Sequence, residues 1–150
     1  MSHAGSVSQL SLRGDGLPLR TPSVIEVAAA LIRDAHGRYL ITQRRLGSHL
    51  AGLWEFPGGK LERDETPAAC LRRELTEELS AAFTVVARVD TVRWEYPERT
   101  VVIHFYDCQL ESGAIVPREA QRMEWVEASR LRDYDFPPAD RSLIERLLAR

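Results

Sequence analysis

Cysteine, long apolar runs and excess positive charge are all scarce in this sequence, and each shortage excludes a class of protein. Its two cysteines, Cys70 and Cys108, lack metal-site spacing, and so few thiols favour a reduced cytoplasmic protein over a disulfide scaffold. No apolar run approaches the ~18 residues of a transmembrane helix, so no membrane association is expected. The 20 basic and 22 acidic residues give a net charge of -2, which argues against long nucleic acid as a partner. An anionic small substrate would therefore need local positive charge or a metal ion.

The remaining composition is that of a single globular domain. The chain has 150 residues, of which 44% are hydrophobic and 28% charged, enough to bury a core. Residues 1–22 contain mainly Ser, Gly, Pro and polar side chains and are expected to form a flexible N-terminal leader. Residues 23–150 are expected to form the folded domain.

Hydrophobic periodicity and turn residues predict an α+β fold, an α/β/α sandwich with a mixed sheet between helices. Strands are predicted at 24–33, 38–44, 83–96, 99–110 and 123–126, and helices at 66–79 and 139–149. Residues 34–37 have hairpin-turn chemistry, which predicts that the first two strands pair with each other. Pro57-Gly58-Gly59 is predicted to stop the short apolar segment before it, because these residues do not continue a β-ladder.

The helix at 66–79 carries an unusual concentration of acids. At about 100° per residue its leucines share one stripe, and the adjoining face carries Glu74, Glu77 and Glu78. Glu74 and Glu78 are like charges at i and i+4, which repel each other. A hard divalent cation would remove that repulsion, and Arg73 could pair with Glu77 or with an acid outside the helix. A solvated acidic surface gives the same pattern, so the helix alone does not decide between the two interpretations.

The loop before the helix adds a fixed spacing. Five residues separate Gly59 from Glu65, seven more precede Arg73-Glu74, and Leu75-Thr76 then leads to Glu77-Glu78. This pattern resembles the Nudix box. Residues 53–60 and 136–139 are also similar to segments of the MutT-like branch, so the resemblance covers residues 23–150.

The resemblance implies a nucleotide hydrolase. It predicts Mg²⁺-dependent hydrolysis of (deoxy)nucleoside triphosphates, especially oxidised or non-standard ones such as 8-oxo-dGTP, to nucleoside monophosphate and pyrophosphate. Such an enzyme cleans the nucleotide pool and so protects DNA. Mn²⁺ is an alternative metal, the partner is a small nucleotide, and the protein is expected to be a monomer or homodimer. Alternatives are a pyrimidine (dCTP, 5-methyl-dCTP or CTP) pyrophosphohydrolase, a nucleoside diphosphate sugar or dinucleoside polyphosphate hydrolase, and a non-catalytic sensor. The complete set of box carboxylates argues against the sensor.

The resemblance also implies roles for the residues of the box. Glu74, Glu77 and Glu78 are expected to bind the metal, with Glu74 or Glu78 close to the attacking water. Gly59 would supply a backbone ligand or shape the loop. Glu65 would support Arg73, which orients the glutamates.

Other predicted site residues lie outside the box. Glu119 is expected to complete the site as metal ligand or base, with an exposed loop glutamate as the alternative. Arg44 matches a substrate-contacting arginine of the branch, although a plain surface arginine fits equally well. Lys60 and Arg99 are expected to face the phosphates or the solvent. Phe56 is expected to stack on the base or to lie in the core.

Asp140 and Ser80 depart from the family pattern, and so does Ala81, which is a weaker core anchor than the aliphatic residue expected there. MutT-like enzymes specialised for oxidised guanine usually carry Asn at the position of Asp140. An ionised Asp only accepts hydrogen bonds, which suits the amino group of cytosine or the N1–H and amino edge of guanine, whereas a protonated Asp would need a raised pKa. Capping the final helix is the alternative role. Ser80 replaces a glycine expected at positive φ, which predicts local strain or a different helix end.

Overall fold

A computed structural model describes residues 23–45, 47, 50–118 and 122–150. In chain order its elements are β1 (Ser23–Ile32), β2 (Tyr39–Gln43), β3 (Trp54–Glu55), β4 (Gly58–Lys60), α1 (Pro67–Leu79), β5 (Ala82–Glu95), β6 (Arg99–Ser112), β7 (Met123–Val126) and α2 (Arg141–Leu148). Two 3₁₀ segments, Ala128–Asp133 and Pro138–Asp140, precede α2. The predicted leader, residues 1–22, lies outside the described residues, and the domain division stays a prediction.

The strands form two sheets. The larger has the order β4-β1-β6-β5, with β1 parallel to β6 and the other pairs antiparallel. The smaller has the order β3-β2-β7. The larger sheet therefore has the mixed character that the sequence predicted.

The predicted pairing of the first two strands is wrong. The turn itself forms, because the Gly37 N–H donates to the Asp34 carbonyl at 3.0 Å. Only an isolated bridge, Arg33 to Tyr39, follows it. β1 is hydrogen-bonded on one edge by β4 and on the other by β6, so neither edge is left for β2. β2 pairs with β3 and β7 instead.

The predicted stop at Pro57-Gly58-Gly59 is only half right. The pairing of β3 with β2 ends before Pro57, but Gly58–Lys60 starts a new antiparallel ladder with β1. The Ala30 N–H donates to the Pro57 carbonyl at 2.7 Å, which anchors the entry to this strand. A Cβ on Gly58 would lie 2.0 Å from the Ala28 carbonyl oxygen, so only glycine allows so close an approach.

The larger sheet separates two cores. Ala28, Ala30 and Ile32 of β1 face a core shared with α1. Ala29 and Leu31 point the other way, into a core shared with α2. This arrangement confirms the α/β/α sandwich, and it follows from the two-residue period of a strand buried on both faces.

Helix α1 begins and ends as the sequence predicted. The Thr66 side chain accepts from the Ala69 N–H at 3.2 Å, and Pro67 is the first helical residue. The helix ends at Ser80, whose φ of 59° and ψ of 28° place it in the left-handed region, so the prediction of a positive φ is confirmed. The Ser80 N–H donates to the Thr76 carbonyl at 3.1 Å.

Helix α2 is shorter than predicted, because residues 138–140 form a 3₁₀ segment before it. Both cysteines are buried and free. Among the residues that the structure describes, no helix has both the length and the apolar character needed to cross a membrane.

Candidate active site

Arg73 connects the acidic helix to the loop that precedes it. Its Nε and Nη2 donate to the two carboxylate oxygens of Glu65 at 2.8 and 2.9 Å, a bidentate pair. Its Nη1 donates to Glu74 Oε2 at 3.0 Å, and its Nη2 to the Lys60 carbonyl at 3.2 Å. The hydrogen bonds from Arg73 are the main reason that the pKa of Glu65 is lowered to about 2. Arg73 thus fixes the helix, the loop and one box carboxylate relative to one another.

Gly59 lies directly against the carboxylate of Glu74. A Cβ built on Gly59 would lie 2.3 Å from Glu74 Cδ, closer than any real contact. The Cys70 thiol donates to the Gly59 and Lys60 carbonyls at 3.4 Å each, which holds the loop on the helix. A side chain at this position would therefore displace the Glu74 carboxylate, which occupies that room.

Glu77 and Glu78 complete the acidic face at the C-terminal end of α1. Glu77 Oε1 lies 3.5 Å from Arg73 Nη1, and its side chain is 60% exposed. Glu78 is half-buried. The last turn of α1 contains no basic residue. Carboxylates at the negative end of a helix dipole are unfavourable by a few tenths of a kcal/mol or more, so this placement is poor for stability alone.

A cavity of about 710 Å³ opens on one side of the larger sheet, and Gly59, which lies against Glu74, is among its lining residues. The sheet residues Val27, Ala29 and Ile103 are among its lining, and Gly58 and Gly59 border it. All five predicted substrate-binding residues line it as well, namely Arg44, Phe56, Lys60, Arg99 and Asp140. The structure therefore brings together positions that are up to 96 residues apart in sequence, from Arg44 to Asp140.

Glu55 is a cavity residue that sequence reasoning missed. Arg44 Nη1 donates to Glu55 Oε1 at 2.8 Å across the β2–β3 pair, so Arg44 is partly buried and not a plain surface residue. Burial raises the pKa of Glu55 even though Arg44 acts against it. An acid between two buried aromatics, Trp54 and Phe56, was the available signal.

Asp140 is buried in the wall of the same cavity, with 6% of its surface exposed. It occupies the cap position of α2, but its side chain makes no capping hydrogen bond, so the helix-cap alternative is not supported. Burial, and secondarily the charge of Glu55, raises the pKa of Asp140 to about 7. Asp140 can therefore be neutral or ionised near neutral pH.

Phe56 lies in the core, one of the two roles predicted for it, and also borders the cavity. Its ring stacks on Phe136 with centroids 5.2 Å apart and meets the edge of Phe105 at 6.2 Å. It is buried in the core below α2 yet borders the cavity. The ring thus offers the cavity a rigid apolar surface that its neighbours hold in place.

Comparison with known proteins decides the family. A family model described as a NUDIX domain matches residues 28–146. The chain belongs to the Nudix family. It is 39% identical over 125 residues to the 8-oxo-dGTP diphosphatase of Haemophilus influenzae, covering 83% of this chain and 92% of that protein. It is 37% identical over 126 residues to the CTP pyrophosphohydrolase of Escherichia coli, covering 84% of this chain and 93% of that one.

The fold comparison agrees with the sequence comparison. The solution structure of the Escherichia coli ORF135 protein matches with a TM-score of 0.73 and 36% identity. The match covers 85% of this chain and 91% of that structure. The predicted resemblance to MutT-like Nudix proteins is thereby confirmed.

The box carboxylates of this Nudix chain suit a hard divalent ion, and hydrolases of the family generally require one. The Glu74 carboxylate lies against the backbone of Gly59, and Glu77 and Glu78 follow on the same helix. Within residues 23–45, 47, 50–118 and 122–150, no three His, Cys or acidic side chains converge tightly enough to hold an ion among themselves. Magnesium sites commonly use one or two carboxylates and take their other ligands from water and substrate phosphates, so the residues fit this chemistry.

Glu119 lies outside the described residues, but the backbone just before it is hydrogen-bonded to the C-terminal end of α1. The Val116 N–H donates to the Leu79 carbonyl at 2.9 Å, and the Arg118 N–H to the Glu78 carbonyl at 2.8 Å. These two bonds satisfy carbonyls that the end of α1 would leave without partners. The residue before Glu119 is thus bonded to the backbone of the Nudix box.

Proposed function

We propose that this chain hydrolyses nucleoside triphosphates to nucleoside monophosphate and pyrophosphate with Mg²⁺ as the cofactor. One observation carries the proposal: Gly59 lies against the Glu74 carboxylate that Arg73 fixes, and Gly59 also lines a cavity of about 710 Å³ that is large enough for a nucleotide. The similarity to an 8-oxo-dGTP diphosphatase and a CTP pyrophosphohydrolase supports it.

In this proposal Glu74, Glu77, Glu78, the Gly59 carbonyl and Glu119 hold the metal. The bound ion would offset the charge of the triphosphate and lower the pKa of a bound water. Attack of water on an internal phosphorus would break a P–O–P bridge and give nucleoside monophosphate and pyrophosphate. Mn²⁺ is the alternative ion.

The other residues of the site position the reactants. Arg73 keeps Glu74 in one orientation through the bond at 3.0 Å, while Glu65 holds Arg73 from the opposite side. Lys60 and Arg99, both at the cavity wall, would supply positive charge to the phosphates. Preorganised charges of this kind act without rearranging during the reaction.

Oxidised or non-standard purine nucleotides such as 8-oxo-dGTP are the leading substrates. The base would lie in the apolar part of the cavity, where Phe56 and Asp140 form the wall. An ionised Asp140 accepts from the N1–H and amino group of a guanine-type edge. Hydrolysis of such nucleotides would keep them out of DNA synthesis. A cytoplasmic location, and a monomer or homodimer, remain predictions that go with this role.

Cytosine nucleotides are a second candidate, because the raised pKa allows Asp140 to be neutral. A neutral carboxylic acid has one donor and one acceptor side by side. Cytosine presents the complementary pair, the N3 acceptor and the amino donor. With a pKa of about 7, the Asp140 side chain is neutral in most protein molecules below that pH. dCTP, 5-methyl-dCTP and CTP are therefore the substrates to compare with 8-oxo-dGTP.

A nucleotide panel assayed with Mg²⁺ for pyrophosphate release tests the proposal. We expect turnover of 8-oxo-dGTP or of a cytosine nucleotide, and none without a divalent ion. Glu78→Gln should abolish turnover, while the matched control Glu127→Gln, at an exposed position before the 3₁₀ segment, should not. Cleavage of ADP-ribose to two monophosphates, with every triphosphate inert, would refute the proposed function.

A further inference from the structure

Trp94 is an aromatic residue near the end of β5 whose exposure the core does not explain. Its surface is 40% exposed, whereas Trp54 is buried and Trp125 is partly buried against the core below α1. A large apolar ring left in solvent beside a cavity is more informative than a scattered surface residue. The position of Trp94 in the sheet shows which cavity it belongs to.

The register of the sheet places Trp94 next to the floor of the substrate cavity. Trp94 pairs with Val101 of β6, and Val101 pairs with Ile25 of β1. Val101 and Ile25 both line the cavity. Val92, two residues before Trp94, packs against the core on that same side of the sheet. Because side chains alternate along a strand, Trp94 continues the cavity floor by one strand.

The residues that follow Trp94 connect it to the base-recognition end of the cavity. Tyr96 lines the cavity, and its hydroxyl interacts with the backbone of Ala139, the residue before Asp140. The hydrogen bonds between Tyr96 and Arg99 close the turn between β5 and β6. Trp94 therefore lies on the cavity side of the sheet, two residues before the tyrosine that contacts the wall containing Asp140.

We propose that Trp94 stacks on the outer face of the bound base and forms the outer wall of the base subsite. This proposal rests on the proposed function and makes Trp94 a specificity-determining residue. Stacking on an aromatic side chain tolerates every base, because each base has a π-face. A purine covers more of the indole than a pyrimidine does, so the contact favours purine nucleotides. The contact is remote from the phosphates, so it should change KM and leave kcat alone.

Steady-state kinetics of three variants test the stacking contact. Trp94→Ala should raise KM on the order of tenfold for a purine triphosphate and less for a pyrimidine triphosphate, with kcat unchanged. Trp94→Phe should keep most of the affinity, because a smaller ring remains. Val86→Ala is the matched control, an exposed apolar residue at the other end of the same strand, and should leave KM unchanged.

Tryptophan fluorescence supplies a second measurement that does not depend on turnover. An α,β-methylene nucleoside triphosphate should quench the wild-type emission, and Trp94→Phe should lose that quenching while still binding the nucleotide. If the wild type turns over nucleotides but Trp94→Ala has an unchanged KM, the stacking proposal is wrong and the proposed function stands. If no nucleotide is turned over, the proposed function fails, and equal quenching in wild type and Trp94→Phe would refute the stacking contact separately.

Discussion

Ser80→Gly should stabilise the protein, because Ser80 ends α1 in a conformation that a side chain disfavours. At φ 59° and ψ 28° the backbone conformation of an L-residue costs about 1–2 kcal/mol more than the right-handed helical conformation, and glycine does not have this cost. Glycine also increases the conformational entropy of the unfolded chain, which removes about 0.4–1 kcal/mol of that stabilisation. The net gain in the free energy of unfolding is about 0.5–1 kcal/mol, or about 1–4 °C in Tm for a chain of this length.

The hydroxyl of Ser80 is the competing term, and Ser80→Ala isolates it. Arg118 Nη1 donates to Ser80 Oγ at 3.3 Å in an exposed setting, a weak bond worth tenths of a kcal/mol. Ser80→Ala removes this bond and keeps the backbone strain, so its Tm should equal or fall slightly below that of the wild type. Thermal melts followed by circular dichroism, with urea titrations at the same pH, measure both variants. A Ser80→Gly variant no more stable than Ser80→Ala would refute the strain argument.

Three further predictions concern the site. Gly58→Ala should destabilise the protein by about 1–3 kcal/mol in urea titrations, because the new Cβ would lie 2.0 Å from a backbone oxygen. Gly59→Ala should keep a near-normal Tm. Its kcat should fall on the order of 10²-fold, because the new Cβ displaces the Glu74 carboxylate. Glu65 has a pKa lowered from 4.5 to about 2, so its contribution to stability is present above about pH 4.5 and is lost as pH falls towards 2; Glu65→Gln should flatten the pH dependence of unfolding in that window. Asp140 has a pKa raised from 3.8 to about 7, so the wild type loses stability as pH rises between those values. Asp140→Asn should gain stability relative to the wild type over the same range, and it should shift base preference. If the free energies of unfolding of the two proteins change in parallel with pH, the raised pKa of Asp140 is contradicted.

The sequence predicted best the features that local chemistry determines. Helix α1 has a hydroxyl cap at Thr66, a proline at its first position and a leucine stripe, so its bounds could be read from neighbouring residues. The positive φ of Ser80 followed in the same way from its place after the helix. The fold class followed from the number and kind of elements.

What the sequence could not predict depended on contacts between distant segments. The predicted pairing of β2 with β1 was wrong because β1 pairs with β4 on one edge and with β6 on the other. Local sequence does not show this competition, since β6 comes more than 50 residues after β2. Glu55 was missed because its partner, Arg44, comes from the neighbouring strand. The raised pKa of Asp140 was considered but not predicted, since the burial that causes it comes from the folded cavity wall.

The small residues of β1 affect both the cavity and the packing of α1, because they lie on both faces of the strand. Ala29 borders the cavity on one face, while Ala30, the next residue, lies in the core shared with the leucines of α1 on the other. Enlarging Ala29 would narrow the space for substrate, and enlarging Ala30 would push on the helix that carries the carboxylates. Neighbouring positions of one strand therefore determine the width of the cavity and the packing of α1. A single inserted residue would exchange the two faces and disturb both at once.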